Sequence, residues 1–486
     1  MSIKRYTATK DNTITNAYKS NLTTRGTGSN MGLADSLEVF SIFGQAASSS
    51  LEEARILLQF PVLTSESVNS IQSDRAAGDI PVSGSVNFFL KLFDVEHDST
   101  TPSNYTLNVS PVSRSWEEGY GLDMENYQDQ TYDGTGSNWV NASAGTPWTN
   151  QGGDYLTASL YSSYNYSETF DSGLENLEVD ITGLVEQWLT GTAGGGYNNY
   201  GVGIFLDSSQ ASSNRSYYTK KFSARGSEYF FKKPIIEARW DSSRKDNRGN
   251  FILSSSRLSS EDNLNTVYFY NYVRGQLKNL PNVGTGQVYV TVHTAVAGGD
   301  QLSTTPEQPV TGGWVSTGIY SASFAMYTTE SVAHDRWFSG SIYYHTGSFK
   351  PDSFDSSNVY LTKEYVTSVT NLKSQYCNKD NARLRVHTRL KGWNPTIYTV
   401  ANAGIQNYII EDAYYRVIRT IDDFEIIPYG TGSINHTRMS YDQSGSYFDL
   451  DMTMLEPGYE YGLKFAFYLN GIYEEHNHVY KFKVTE

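Results

Sequence analysis

Short stretches in which apolar and polar residues alternate recur along the chain, each closed off by a cluster of Ser, Gly, Asn or Asp. A period of two puts successive side chains on opposite faces of an extended strand, so the pattern predicts β-sheet with one buried face. Phe88, Leu90 and Leu92 share one face of Asn87–Val95, and Tyr105, Leu107 and Val109 share one face of the next strand. Arg55–Phe60 (RILLQF) is a more continuously apolar strand. Ile235–Trp240 closes the series with Ile236, Ala238 and Trp240 facing one way. One segment breaks the pattern. Within Leu177–Leu206, Leu184, Val185, Trp188 and Leu189 fall at helical spacing, Thr182 is placed to cap the helix and Gly191 to stop it. The spacing predicts one short helix, with Trp188 buried, plugging the end of a β-sandwich.

At 486 residues the chain is long for a single core. Charged residues make up 18% and aromatics 14%, with 38 Tyr. That balance fits broad, polar but uncharged surfaces, as on β-rich extracellular or virion proteins, and is too aromatic for disorder. The net charge of −15 argues against a nucleic-acid partner. No apolar run approaches the ~20 residues that span a bilayer, so no membrane insertion is expected. The N-terminal MSIKRYTATKDNTITNAY has no apolar core, so no secretion signal is expected. The single cysteine, Cys377, leaves no intrachain disulfide.

Three domains are expected: residues 1–242, 251–350 and 356–486. The charged, turn-rich DSSRKDNRGN (Asp241–Asn250) marks the first boundary and PDSFDSSN (Pro351–Asn358) the second. In the first domain, RILLQF, SWEEG (Ser115–Gly119), Asn138–Trp139, DITGLVEQWLTG (Asp180–Gly191), Tyr200–Gly201 and PIIEARW (Pro234–Trp240) resemble the DNRLRE, disaggregatase-related β-sandwich family. The resemblance covers roughly the first half of the chain and implies a carbohydrate-binding-module type of jelly roll. The loop Asn21–Asp35 and the Tyr/Asn/Gly-rich matter between Tyr120 and Asn176 depart from it. Strands spaced through 251–350 suggest an immunoglobulin-like sandwich. Leu455, Pro457 and Tyr461 in LEPGYEYGLKF match the L-x-P-x-x-x-Y corner of fibronectin type III domains, which the last part resembles. The fold class is therefore read as all-β, a jelly-roll-like sandwich followed by two Ig/fibronectin-like β-sandwich domains.

No catalytic constellation stands out. There is no G-x-S-x-G elbow, Cys377 falls in a polar loop, and Thr192–Gly201 lacks the Lys-Ser/Thr of a phosphate loop. His476 and His478 beside Glu474 and Glu475, Asp449 with Asp451, and Glu117 with Glu118 are better read as solvated or structural groups than as metal ligands or a glycosidase pair. No catalytic, cofactor or metal site is therefore assigned, and no enzyme is expected. Two contact candidates remain. Arg383, Arg385, His387 and Arg389 alternate along RLRVHTR as a basic stripe on an acidic protein, which suits docking on an acidic neighbour or another copy. Trp139, Trp148 and Tyr155 lie in a polar, Gly-rich segment, where exposed rings would stack on sugars. Strings of such domains resemble structural proteins of tailed phages, and the N-terminal sequence is similar to those of marine myoviruses, cyanophages among them. That resemblance implies location in the virion, other virion proteins and further copies of the chain as partners, and host-surface glycans as an alternative partner. A polysaccharide-degrading enzyme is the less favoured alternative.

Overall fold

The computed structural model describes all residues except 1, 20, 49, 96–101, 123–134, 212–216, 297, 355–363 and 402–404. Part of the second expected linker, residues 355–358, lies outside the described residues. The protein is almost entirely β, and its contacts divide it into two compact units, Ser2–Asp241 and Ser242–Glu486.

The first unit contains β1 (Ile3–Thr7), β2 (Lys10–Thr15), β3 (Ser36–Phe43), β4 (Leu51–Gln59), helix α1 (Ile71–Ala77), β5 (Asn87–Leu92) and β6 (Tyr105–Pro111). A small hairpin follows, β7 (Asn141–Ser143) and β8 (Thr146–Pro147). Next come β9 (Tyr166–Phe170), β10 (Leu177–Asp180), helix α2 (Thr182–Thr190), β11 (Val202–Leu206), β12 (Tyr217–Ser223) and β13 (Ile235–Arg239). A four-stranded sheet, β1-β13-β5-β10, faces a larger one in the order β12-β3-β4-β11-β6-β9, with β2 also paired to β4. Between them lie the alternating apolar residues read from sequence, including Ile56, Phe88, Leu90, Leu107, Val109 and Ile236. The larger sheet turns a corner. β3 pairs with β4 only from Phe40 to Phe43, while β12 lies along its other edge from Ser36 to Ile42 and β11 takes the place beside β4 from Ile56 onward.

Helix α2 buries Leu184, Val185 and Trp188 against this core, Trp188 to 1% exposure. Its cap differs from expectation. Asp180 Oδ1 accepts from the Thr182 backbone N–H (2.9 Å) and from its hydroxyl (2.5 Å), while Thr182 Oγ1 accepts from the Phe88 N–H (2.8 Å). Thr182 thus ties the helix to β5, and the Asp180 carboxylate two residues earlier takes the capping role. Helix α1 escapes a periodicity reading because it buries only Ile71; its signals are the Ser70–Ser73 capping box and the left-handed Gly78 that ends it. Gly201, part of the family-like set, has φ +80°, and a Cβ there would stand 1.8 Å from the Leu58 carbonyl oxygen. Only glycine lets the chain enter β11 so close to β4.

The second unit contains two sandwiches. In the first, β14 (Asn265–Tyr270), β15 (Tyr272–Val273), β16 (Gln276–Leu277), β17 (Val288–His293), β18 (Thr304–Thr305), β19 (Val310–Ser316), β20 (Ile319–Met326), β21 (Ala333–Ser339) and β22 (Ile342–Phe349) follow in chain order. Except for the β15-β16 hairpin they form one curled sheet, β14-β20-β19-β17-β21-β22 with β18 on β20. The curl brings its two ends together, since Phe269 of β14 stacks on His345 of β22 at 5.2 Å. The Ig/fibronectin-like sandwich that follows has a four-stranded sheet of β23 (Tyr365–Val369), β25 (Asn381–Leu390), β29 (Gly445–Asp451) and β28 (Ser440–Asp442). Opposite lies a six-stranded sheet of β24 (Gln375–Cys377), β32 (Tyr480–Thr485), β30 (Glu460–Leu469), β26 (Ala413–Arg419) and β27 (Phe424–Ile427), with β31 (Ile472–Glu475) on β30. Tyr415 and Phe448 stack between the sheets at 4.1 Å. The corner tyrosine does what its motif implies: Tyr461 Oη donates to the Glu456 carbonyl at 2.6 Å.

From Arg244 on, the stretch read as a connector is mostly half-buried, with Asp246 buried, and is bonded into the unit. Arg244 N–H donates to Ser440 Oγ (3.0 Å) and Asp246 N–H to the Tyr441 carbonyl (3.1 Å) on the last sandwich. On the other side, Arg248 forks onto Asp335 with two 2.5 Å bonds, and Asn247 Oδ1 accepts from Thr266 N–H (2.9 Å). Residues 244–248 are therefore a brace gripped by both sandwiches of the unit.

Candidate functional site

The expected sugar platform is not available. Trp139 and Trp148 are each 5% exposed and belong to a second, smaller core with Ile14, Leu57, Val112, Trp116 and Ala142, against which Tyr155 packs. Leu57 points away from the main core, so the segment after β6 folds back over the outside of the larger sheet and gives that face its own apolar cover. Two indole N–H groups of this smaller core are engaged at home: Trp148 Nε1 donates to the Asn138 carbonyl (2.8 Å) and Trp116 Nε1 to the Tyr200 carbonyl (2.9 Å). Tyr155 Oη donates to the Gly152 carbonyl (2.8 Å), and burial pushes its phenol up to about 12. Arg55 covers the remaining ring faces, 5.1 Å from Trp139 and 5.4 Å from Phe205. A Gly-rich, polar segment looked open in sequence because the residues it covers come from β2 and β4, far away in the chain.

The basic stripe is placed on β25 with Leu384, Val386 and Thr388 buried on the other face, as alternation requires. Its charge is matched inside the chain. Arg383 makes a bidentate pair with Asp449 (2.8 and 3.0 Å) and Arg385 another with Asp442 (3.0 and 2.9 Å), and both guanidinium groups lie over the Tyr447 ring. Arg389 Nη1 donates to the Leu390 and Trp393 carbonyls, and His387 Nε2 is buried with no hydrogen-bond partner among the described residues. The Asp449 hydrogen bonds hold Arg383 more firmly charged, and Tyr447 and Tyr272 add to that. The stripe reads in sequence as a surface for an acidic neighbour or another copy; in the structure the carboxylates that meet Arg383 and Arg385 are Asp449 on the adjacent strand β29 and Asp442 on β28, the strand beyond it.

The remaining candidates are structural as well. His476 lies edge-on to Phe467 at 4.4 Å and burial pushes its imidazole pKa down; Glu475 pairs with Lys464 and Arg416. Asp451 caps the turn at Thr453 (2.9 Å), and Glu118 accepts from the Asp11 N–H (2.9 Å) and from Arg225 (2.7 Å). Among the described residues no group of three or more His, Cys, Asp or Glu could hold a metal ion, and no helix is long and apolar enough to cross a membrane. Sequence reasoning missed one recess. At the corner where β3 leaves β4, a concavity of about 710 Å³ opens between β2, β3, β4 and β12. No motif marks it, because its walls come from four strands.

No protein-family model matches the sequence, and no curated protein matches it. Among solved structures the chain is similar to a marsupial T cell receptor (7% identity, 49% of this chain and 70% of that one, TM-score 0.16). It is also similar to the Yersinia pseudotuberculosis adhesin InvE (12% identity, 45% and 54%, TM-score 0.15). A third is the N-terminal Ig1-2 module of a Drosophila receptor protein tyrosine phosphatase, DLAR (7% identity, 46% and 91%, TM-score 0.14). At such TM-scores these likenesses carry no argument about what the chain does.

Proposed function

We propose that this chain is a non-catalytic structural protein of a tailed-phage particle, acting by assembly with other particle proteins and with copies of itself. The observation that carries the reading is the way its reactive-looking groups are used up in holding β modules rigid. The arginines of the stripe, the histidines and the paired carboxylates all find partners or packing within the chain. Among the exposed residues are large aromatic and aliphatic side chains. On the edge strand β31 all four residues are exposed, Ile472 by 70% and Tyr473 by 46%, and Tyr473 groups with Tyr468 at 4.7 Å. Tyr327 and Tyr343 are exposed by 69% and 57% in the neighbouring sandwich. Such residues give large contact area with few rotors to freeze, which suits permanent contacts between particle subunits. The family resemblance of the first unit fits the same role as a rigid module.

Mass spectrometry of purified particles tests this reading. The chain is expected at a stoichiometric level beside the major particle proteins, and its absence from particles that are otherwise complete defeats the proposal. Replacing Ile472 and Tyr473 by Ser is expected to leave the fold intact and to lower incorporation.

A further inference from the structure

Lys220 of β12 lies inside the main core of the first unit, its side chain 1% exposed. Burying an ammonium group is costly, and here it lies between Phe170 and Phe222, whose ring centres are 5.2 and 5.3 Å from Nζ. Nζ donates to Asp94 Oδ1 at 2.5 Å and to the Gly173 carbonyl at 2.9 Å. The backbone fixes this pair. Asp94, two residues beyond the end of β5, bridges to Phe222, and the Val95 N–H donates to the Lys221 carbonyl (3.2 Å). Lys220 is two residues from Phe222 on the same strand and therefore points to the side of Asp94.

A third group completes the cluster. The loop after β9 touches both partners, since Gly173 accepts from Lys220 and Asn176 Oδ1 accepts from the Asp94 N–H (2.8 Å). Glu175 lies between Gly173 and Asn176 in that loop. Its Oε1 accepts from the Ser172 N–H and hydroxyl, both at 2.7 Å. Its Oε2 is buried with no hydrogen-bond partner among the described residues, and so is the Tyr105 hydroxyl. Asp94 and Glu175 are close enough for their charges to act on both Lys220 and Tyr105. Burial pushes Lys220 down, toward the neutral amine, and Asp94 offsets this only in part. Against burial, the Ser172 N–H and hydroxyl hold the Glu175 carboxyl down at about 2, which leaves it ionised and able to accept a proton. A buried ion pair gains little, because desolvating the two ions cancels most of their attraction. The same side chains joined as an amide carry no charge. Amine and carboxyl held in contact by two strands have a high effective concentration, and the core excludes the water that reverses the reaction.

We infer that Lys220 and Asp94 join in an isopeptide bond formed by the folded chain itself, with Glu175 carrying the proton. The proton of the Lys220–Asp94 contact passes to the carboxylate, leaving an amine and a carboxyl. Nζ attacks Cγ, and the N–C bond forms as Glu175 takes a proton from the nitrogen. The C–O bond to one carboxyl oxygen then breaks, and Glu175 returns its proton to that oxygen, which leaves as water. Ammonium and carboxylate thus become one amide and one water, with no oxidant and no second substrate. The bond ties the end of β5, in the four-stranded sheet, to β12 in the larger one, across 126 positions of a chain whose single cysteine allows no intrachain disulfide. It requires only the folded first unit, so it does not depend on the particle role.

Intact-mass spectrometry of the denatured full chain tests this. The chain is expected to be lighter than its sequence by one water, and a tryptic digest to contain Leu92–Arg114 joined to Ser216–Lys221, uncut at Lys220. Asp94→Ala and Lys220→Met are each expected to lose no water and to give no joined peptide. Glu175→Gln, which keeps an acceptor for Ser172, is expected to fold, checked by circular dichroism, and to link about a hundredfold more slowly, followed by mass at intervals after synthesis is induced. An unaltered chain at its full sequence mass overturns the proposal, and so does a missing water with the two peptides recovered separately. Linking of Glu175→Gln at the unaltered rate overturns the part given to Glu175. Should that variant not fold, the mass and the joined peptide of the unaltered chain decide.

Discussion

At the scale of single residues, the buried charges show how little of this chain's electrostatics is available to partners. Arg248 and Asp335 are 9% and 0% exposed at their side chains and are joined by a two-pronged bond, with Trp337 Nε1 also donating to Asp335. Removing one partner leaves the other buried and unpaired, so Arg248→Ala is expected to destabilise the second unit by ~3–5 kcal/mol in urea unfolding. Asp246, two residues earlier, gives a pH signature. Burial pushes its carboxyl up to about 7, and the charge and backbone N–H of Arg248 offset this only in part, because the guanidinium fork is engaged on Asp335. An unfolded chain ionises this group near its ordinary value of 3.8. As pH rises from about 4 to about 7 the unfolded state therefore sheds a proton that the folded state keeps, and stability falls across that window. Asp246→Asn is expected to flatten the fall, measured as the unfolding free energy near pH 5 and near pH 7; an unchanged slope would refute the assignment. Asp11 behaves alike in the first unit, raised to about 6 by burial, so only the second unit's transition should respond to Asp246→Asn. None of this was legible in DSSRKDNRGN. A run of polar residues reads as a solvated turn, and what buries Arg248 is a β-sheet almost a hundred residues further on.

At the scale of elements, local pattern spoke clearly wherever a segment meets its core through its own periodicity. Leu184, Val185 and Trp188 are buried as their spacing predicts, and Trp188→Ala is expected to cost the first unit ~3–5 kcal/mol, read as a lower urea midpoint. The corner motif was equally legible, because Tyr461 bonds to a carbonyl only five residues away; Tyr461→Phe should cost ~1–2 kcal/mol in the second unit alone. Pattern was silent where distant strands decide. Trp139, Trp148 and Tyr155 read as exposed from their Gly- and Asn-rich neighbours, yet Ile14 and Leu57 complete a core around them. The recess by Glu52 was invisible for the same reason, since β3 pairs with β4 over only Phe40–Phe43 while β12 stays beside it from Ser36 to Ile42, and no sequence signal records where β3 parts from β4.

At the scale of the molecule, three sandwiches make two contact units because residues 244–248 bond to both sandwiches of the second. Calorimetry of the full chain is expected to show two transitions, with Arg248→Ala lowering one and leaving the other in place. Three independent transitions would mean that the brace does not couple its neighbours. The first unit carries a different long-range tie. Its opening strand β1 pairs only with its last strand β13, Ile3 to Arg239 and Thr7 to Ile235, and Arg5 meets the buried Glu237 across that pair at 2.7 Å. A ribosome extends the chain from one end, so β1 emerges with no partner and waits for more than two hundred further residues. At ~5–20 residues per second that delay is on the order of ten to fifty seconds. The sandwich cannot be closed by degrees during synthesis. Throughout that interval an unpaired strand is open to the wrong neighbour, which makes chaperones and the rate of translation part of what determines how much of this protein reaches its folded form.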